Sequence, residues 1–230
     1  MKITRALASH PEMFIQEGAR RKLEWFARYL LRSFQPTPFH RAYYRVLDMF
    51  AKGDIKNLII QAPPQHGKSQ GSSRFLPAYM LGLNPDLKIC IASYAATIAK
   101  DFNRDCQRLI DCNEYREVFP ETVLNGSNVV TVANNYLRNS DVFEIVNHTG
   151  SLRVVGRGGS LTSKTVDVMI FDDLYKDASE ANSPQIRATA WDWYTKVART
   201  RLHNDSQQLI VFTRWHPEDI IGKIMDTEDV

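Results

Sequence analysis

Apolar residues near the start of the chain recur at helical spacing. Between residues 11 and 33 they fall every three or four positions with charged residues between them, which predicts an amphipathic helix capped by Ser9 or His10. A proline-rich break follows at residues 34–38, and a second helix is predicted from about residue 39 to residue 52. The chain is therefore expected to begin with a helical segment.

Further along, short apolar runs alternate with helical patterns. Strands are predicted at residues 57–62, 87–92, 166–171 and 208–212, and helices at residues 69–83, 94–111, 184–202 and 217–225. Residues 142–146 and 151–155 flank a turn and predict a β-hairpin, whereas the polar residues 174–182 predict a surface loop. The alternation predicts an α/β fold in which helices flank a mostly parallel central sheet.

The first of these strands runs into residues 63–69, Pro-Pro-Gln-His-Gly-Lys-Ser, which resemble the end of a phosphate-binding loop. In such a loop the backbone amides and the helix dipole bind a polyphosphate, a lysine reaches the β and γ oxygens, and a serine places its hydroxyl on Mg²⁺. Ala62 stands where the pattern usually has glycine, and the two prolines are expected to stiffen the loop instead. The alternative is a Gly-Lys-Ser turn that occurs by chance. The residues predicted to bind the nucleotide here are Pro64, Gln65, His66, Gly67, Lys68, Ser69 and Gln70.

Polar residues follow two of the later strands. Asp172 and Asp173 come directly after an apolar run, and Thr213 comes after the next one. Since ligands bind at the carboxyl ends of strands in open α/β sheets, Asp172 is predicted to hold Mg²⁺ through water and Asp173 to orient or deprotonate the attacking water. Thr213 is a candidate sensor of the γ-phosphate. The tips of the strands that end near residues 62 and 172 are predicted to lie side by side.

The proline-rich break before the first strand is a candidate site for a purine base. Phe39 could stack on the ring, and His40 or Gln35 could bond to its edge. The alternative is that Phe39 only pins the break to the core.

Composition and charge limit the possible classes of protein. The chain has 230 residues and a formal charge of +3, and 43% of its residues are hydrophobic, which fits one folded domain. No run approaches the roughly 18 apolar residues of a membrane helix, and the N-terminus lacks a secretory signal. Residues 1–50 carry nine Lys or Arg against four acids, so this face meets a polyanion or is simply solvated. We expect a helical segment at residues 1–53 and a nucleotide-binding core at residues 54–230.

Taken in order, these motifs resemble the N-terminal ATPase domain of tailed-phage terminase large subunits. The segments that carry the resemblance are residues 63–69, 91–94, 171–177, 199–202 and 213–219. The resemblance implies a P-loop NTPase fold of the ASCE type, with ATP and Mg²⁺ as ligands. It further implies that ATP hydrolysis moves double-stranded DNA into a procapsid without base preference. The implied partners are the portal, a small terminase subunit and, in a homo-oligomeric ring, further copies of the chain, which is otherwise expected to be a monomer; the implied location is the host cytoplasm, at the portal.

The resemblance also assigns roles to individual residues and exposes departures. Lys68 and Ser69 match the phosphate-loop positions, Asp172 the metal-associated acid, Asp173 the catalytic acid and Thr213 the coupling position. Asp173 replaces the glutamate of many relatives and is one methylene shorter, so it reaches the water less directly or is assisted by Asp177.

A second departure is that the phosphate loop has Gln65 and His66 where many relatives have arginine. The transition-state cation must then come from elsewhere, and Arg157 is the first candidate for an arginine finger. The alternatives for Arg157 are a DNA contact or a solvated loop. Arg199, Arg201 and Arg214 follow as further candidates.

The resemblance also implies a C-terminal nuclease in relatives, and nothing after residue 225 could form one, so no nuclease activity is expected. Two other functions stay open: a helicase-like ATPase, and a nucleotide-gated DNA-binding module that scarcely hydrolyses ATP.

Overall fold

The computed structural model describes residues 11–132, 135–161 and 165–227. Its first helices are α1 (Pro11–Arg21), α2 (Leu23–Leu30) and α3 (Pro38–Ala51). The single helix predicted for residues 11–33 is therefore wrong: the chain forms two helices there. The backbone is extended at Lys22, and the amide of Leu23 donates to Asp48 Oδ1 of α3 at 3.0 Å.

The third helix begins as its sequence dictates. The hydroxyl of Thr37 accepts a bond from the His40 amide, and the His40 ring bonds back to the Thr37 amide, which together form a capping box. Gly53 follows the helix with a φ of 81° and stops it. The cap predicted for the first helix, Ser9 or His10, lies outside the described residues.

The centre of the molecule is one sheet of six strands in the order β1-β6-β5-β2-β4-β3. The strands are β1 (Asn57–Gln61), β2 (Lys88–Ser93), β3 (Val142–Glu144), β4 (Ser151–Gly156), β5 (Val166–Asp172) and β6 (Leu202–Phe212). All neighbours pair in parallel except β3 and β4, which form the predicted hairpin. The second strand of that hairpin also pairs with β2, so the hairpin extends the central sheet.

The prediction that the tips of the strands carrying the phosphate loop and the acid pair lie side by side is wrong, because these strands, β1 and β5, are not neighbours in the sheet. β6 lies between them and pairs with β1 through Gln61 and with β5 through Asp172. Chain order does not fix spatial order, and residues 208–211 of β6 pair with β1 along one edge and with β5 along the other. All three strands are parallel, so their carboxyl ends still meet at one edge of the sheet.

The helices that follow the strands lie on both faces of the sheet. Helix α4 runs continuously through Lys68–Gln70, a π-helical turn at Gly71–Phe75 and Leu76–Leu83. The others are α5 (Ala96–Asp111), α6 (Asn113–Val118), α7 (Ala178–Asn182), α8 (Pro184–Trp193, with turns continuing to Arg201) and α9 (Ile220–Thr227). Neither α6 nor α7 was predicted. Helix α7 forms within the segment that was expected to be a surface loop, and the Asp177 carboxylate caps it by accepting a hydrogen bond from the Glu180 amide at 3.0 Å.

Side chains that alternate along the strands enter two hydrophobic clusters, one on each face. The first cluster also contains the N-terminal helices, whose Phe26 packs against Phe75 and Tyr79 of α4. This contact attaches the N-terminal helices to the helix that follows the phosphate loop. No helix among the described residues is long and apolar enough to cross a membrane.

Candidate active site

The loop between β1 and α4 turns through two residues with left-handed backbone. Gln65 has a φ of 62° and Gly67 a φ of 72°, and Lys68 begins the helix. A Cβ at Gly67 would also lie 3.2 Å from His40 Nε2, so this position favours glycine twice over. Ala62, in contrast, continues the sheet: its amide donates to Phe212 O at 3.2 Å and its φ is not positive, so a glycine is not required there.

Lys68 is the buried cation of this site. Its side chain is 9% exposed, and Nζ lies 2.6 Å from Asp173 Oδ2. Its backbone carbonyl accepts hydrogen bonds from the hydroxyl of Tyr43 at 2.6 Å and from that of Ser72 at 2.9 Å. The bond from the Tyr43 hydroxyl thus ties α3 to the first residue of α4.

Asp172 is buried at the end of β5, with 1% of its surface exposed. Ser69 Oγ donates to its Oδ1 at 2.9 Å, and Ser73 Oγ donates to its Oδ2. Burial raises the pKa of Asp172 to about 6, against the lowering effect of the Ser73 hydrogen bond, and the neighbouring charge of Asp173 raises it further. Because burial and the charge of Asp173 both disfavour the ionised form, a cation that binds beside this carboxylate would stabilise its charge.

Asp173 has a left-handed backbone, with a φ of 43°. Its amide donates to Val211 O at 3.1 Å and its carbonyl accepts from the Tyr94 amide at 2.9 Å, so β6 and the end of β2 hold it on both sides. Its Oδ1 accepts from the amide of Thr213 at 2.8 Å, and the Thr213 hydroxyl donates to Ala62 O at 3.3 Å. Thr213 therefore bridges the acid and the phosphate loop.

The structure thus brings five predicted residues together at the carboxyl edge of the sheet: Lys68, Ser69, Asp172, Asp173 and Thr213. The hydroxyl and carboxylate oxygens of Ser69 and Asp172 fit Mg²⁺, which is usually bound by one or two protein oxygens together with water and substrate phosphates. The described residues contain no cluster of three or more His, Cys, Asp or Glu that could hold a metal ion.

The predicted purine residues are only partly assembled. Phe39 is 38% exposed, stacks on Tyr43 at 5.8 Å and meets the His66 ring edge-on at 5.9 Å. His40 lies against Gly67, as described above. Gln35 instead lines a separate cavity of about 710 Å³ between the N-terminal helices, and neither Phe39 nor His40 lines that cavity.

The candidate arginines are engaged within the chain. Arg157 Nη1 donates to Leu174 O at 2.6 Å and to Glu180 Oε2 at 2.9 Å, and its side chain is 16% exposed. Arg214 Nε lies 3.0 Å from Asp219 Oδ2. The guanidinium of Arg199 lies over the Tyr194 ring, and that of Arg201 bonds to the Thr200 hydroxyl. The carboxylate of Asp177, the residue expected to assist Asp173, caps α7.

Two residues in the site were not predicted from the sequence, Ser73 and Tyr43. A signal existed for Ser73: it follows Ser69 by four residues in a predicted helix, so both lie on one helical face. No pattern in the sequence pointed to the Tyr43 hydroxyl, which reaches Lys68 from another helix.

A mostly parallel sheet with a phosphate loop after its first strand and an acid pair at the same edge defines an ATPase domain of the P-loop class. A family model described as the N-terminal part of the T4likevirus-type terminase large subunit matches residues 59–229. The chain belongs to this family. Family and site together identify an ATPase motor domain of phage DNA packaging.

Solved structures to which the chain is similar include phage terminases. The chain is similar to the HK97 bacteriophage large terminase, with a TM-score of 0.50 and 12% identity over 85% of this chain and 38% of that chain. It is also similar to the Thermus phage P74-26 large terminase ATPase domain, with a TM-score of 0.49 and 19% identity over 80% of this chain and 67% of that one. No curated protein is significantly similar to the chain.

Proposed function

We propose that this chain hydrolyses ATP at the site around Lys68 and that hydrolysis drives double-stranded DNA into a procapsid. The observation that carries the proposal is the meeting of Lys68, Ser69, Asp172, Asp173 and Thr213 at one edge of the sheet. Each of these residue types has a distinct task in phosphoryl transfer, which depends on positioning and charge compensation.

In the proposed reaction, backbone amides of residues 65–69 and the start of α4 bind the phosphates of ATP. Lys68 exchanges Asp173 for the β and γ oxygens, and Asp173, still held by the Thr213 amide, orients or deprotonates the attacking water. Ser69 and Asp172 would hold Mg²⁺, which offsets phosphate charge when it is bound. Thr213 reports the state of the γ-phosphate because it contacts both the acid and the loop.

The purine is proposed to lie beside Phe39 and His40, and the phosphate-loop contacts to extend from Pro64 to Gln70. Arg157 is proposed as the transition-state cation of a neighbouring subunit in a homo-oligomeric ring. Arg157 is paired with Glu180 of its own chain, so this role requires that pair to open.

The test is phosphate release by wild type and Asp173→Ala, together with calorimetric titration of MgATP. We expect binding by wild type and hydrolysis that depends on Asp173. Equal, near-zero rates with intact binding would favour the nucleotide-gated binding module. Absence of binding heat would reject the proposal.

The DNA contact is proposed to go to backbone phosphates, so affinity should fall steeply with salt and show no base preference. Strand displacement would indicate the helicase-like alternative, and DNA nicking would contradict the expectation of no nuclease activity.

The portal, the procapsid and a small terminase subunit are the proposed partners, in the host cytoplasm. The division into residues 1–53 and 54–230 is likewise proposed, with the N-terminal segment on the purine side.

A further inference from the structure

The π-helical turn in α4 turns two hydroxyls inward beside the acid pair. Ser72 and Ser73 are both fully buried in this turn, Gly71–Phe75. The first residue of the turn, Gly71, packs closely against the Tyr43 ring. A Cβ at this position would lie 2.6 Å from a ring carbon of Tyr43. Single turns of π-helix often occur at functional sites, where they re-aim side chains.

The two oxygens of Asp172 have separate hydroxyl donors from this one helix. Ser69 Oγ donates to Oδ1 at 2.9 Å, and Ser73 Oγ donates to Oδ2. Two donors on opposite oxygens fix the rotation of the carboxylate about its last bond. With Ser69 alone, the carboxylate could rotate and its second oxygen would be buried without a protein donor.

Rotation of this carboxylate matters because Mg²⁺ demands nearly ideal octahedral geometry. Loss of a residue that orients the ligands of a metal typically lowers its affinity or the activity by about 10- to 100-fold. We propose that Ser73 is a positioning residue for the magnesium site, which holds Asp172 in the orientation that binds the Mg²⁺ of MgATP together with Ser69. The inference rests on the function proposed above and adds Ser73 to its machinery.

The simpler alternative is that Ser73 only satisfies a buried oxygen and contributes to stability. Ser72 provides the matched control, since it lies in the same turn, is equally buried and donates to Lys68 O at 2.9 Å. Loss of that bond leaves the Lys68 carbonyl with its second donor, the Tyr43 hydroxyl. Ser72→Ala and Ser73→Ala therefore each remove one buried hydroxyl, but only the latter removes a donor from Asp172.

The experiment measures the affinity of the full chain for a fluorescent ADP in EDTA and at saturating Mg²⁺. For Ser73→Ala we expect an affinity in EDTA within about twofold of wild type and a gain from Mg²⁺ that is about tenfold smaller. Ser72→Ala should keep the wild-type gain, and Ser73→Thr, which retains the hydroxyl, should regain it. Melting curves establish that each variant is folded.

A wild-type Mg²⁺ gain in Ser73→Ala, or an equal loss in both alanine variants, would overturn the proposal. This comparison decides it whether or not threonine fits the site. A wild-type chain whose nucleotide affinity does not respond to Mg²⁺ would instead contradict the proposed function itself, so the two failures are distinguishable.

Discussion

Lys68 Nζ and Asp173 Oδ2 lie 2.6 Å apart. The lysine expected on the phosphates is therefore already paired with the acid expected to act on the water. ATP must displace the carboxylate from the ammonium, and the displaced Asp173 keeps its bond to the Thr213 amide. Binding of substrate and release of the acid are consequently one event.

Asp173→Asn should bind MgATP more tightly and hydrolyse it more slowly. The asparagine cannot compete for Lys68 as a charge, so we expect affinity to rise about fivefold, the effect of removing a modest ion pair. Hydrolysis should fall by at least about 100-fold because the general base is lost. Calorimetry and single-turnover phosphate release measure the two effects.

The control for this variant is Asp205→Asn, since the Asp205 side chain is 87% exposed and pairs only with Lys56 at 3.4 Å among the described residues. It should leave both quantities unchanged. Weaker MgATP binding by Asp173→Asn would show that the ion pair prepares the site instead of competing with the substrate.

Lys68→Ala should abolish turnover. It removes a charge-assisted contact to the phosphates, so MgATP affinity should fall at least about tenfold, as expected for loss of a hydrogen bond to a charged group. Phosphate release and calorimetry again provide the measurements. Lys88→Ala, a change at an exposed lysine at the start of β2, is the control, and appreciable turnover by Lys68→Ala would place the phosphate site elsewhere.

Much of the site could be predicted from the sequence because its residues sit at fixed points of a local pattern. Lys68 follows an apolar strand and a glycine, and Asp172 ends another apolar strand, so the parallel sheet places both at one edge. The position of β6 between those strands could not be predicted, because local patterns do not give the order of strands in space.

Contacts between distant elements were equally hidden. The pairing of Arg157 with Glu180 joins the loop after β4 to α7, a short helix that the polar residues 174–182 did not suggest. Ser73 is intermediate: its spacing from Ser69 was visible, but its bond to Asp172 depends on where β5 lies relative to α4.

Asp172→Asn should stabilise the nucleotide-free protein at neutral and alkaline pH while it abolishes hydrolysis. Burial raises the pKa of Asp172 to about 6 from its ordinary 3.8, so the fold favours the protonated form. The stability contributed by this group is fully present below about pH 4 and is lost as the pH rises through about 6. Removing the charge should therefore add on the order of 3 kcal/mol at pH 8 and nothing near pH 4.

Urea unfolding in EDTA at pH 4, 6 and 8 measures this difference. The expected signature is an advantage of Asp172→Asn that grows with pH. A variant that is less stable than wild type at pH 8 would mean that the hydroxyls of Ser69 and Ser73 compensate the charge fully.

Arg157→Ala separates an arginine finger from an internal clamp when it is compared with Glu180→Gln. Both changes break the ion pair, but only the first removes the guanidinium. A finger acting in trans predicts that Arg157→Ala lowers turnover by about 10³ in the assembled motor, whereas Glu180→Gln keeps it within a few-fold of wild type.

Mixing Arg157→Ala with Lys68→Ala subunits should then restore turnover, because the Arg157→Ala subunit supplies an intact nucleotide site and the Lys68→Ala subunit supplies the arginine. If Arg157 serves only to hold Leu174 and α7, the two single variants should lose activity to a similar, modest degree, and the mixture should be no more active than its parts.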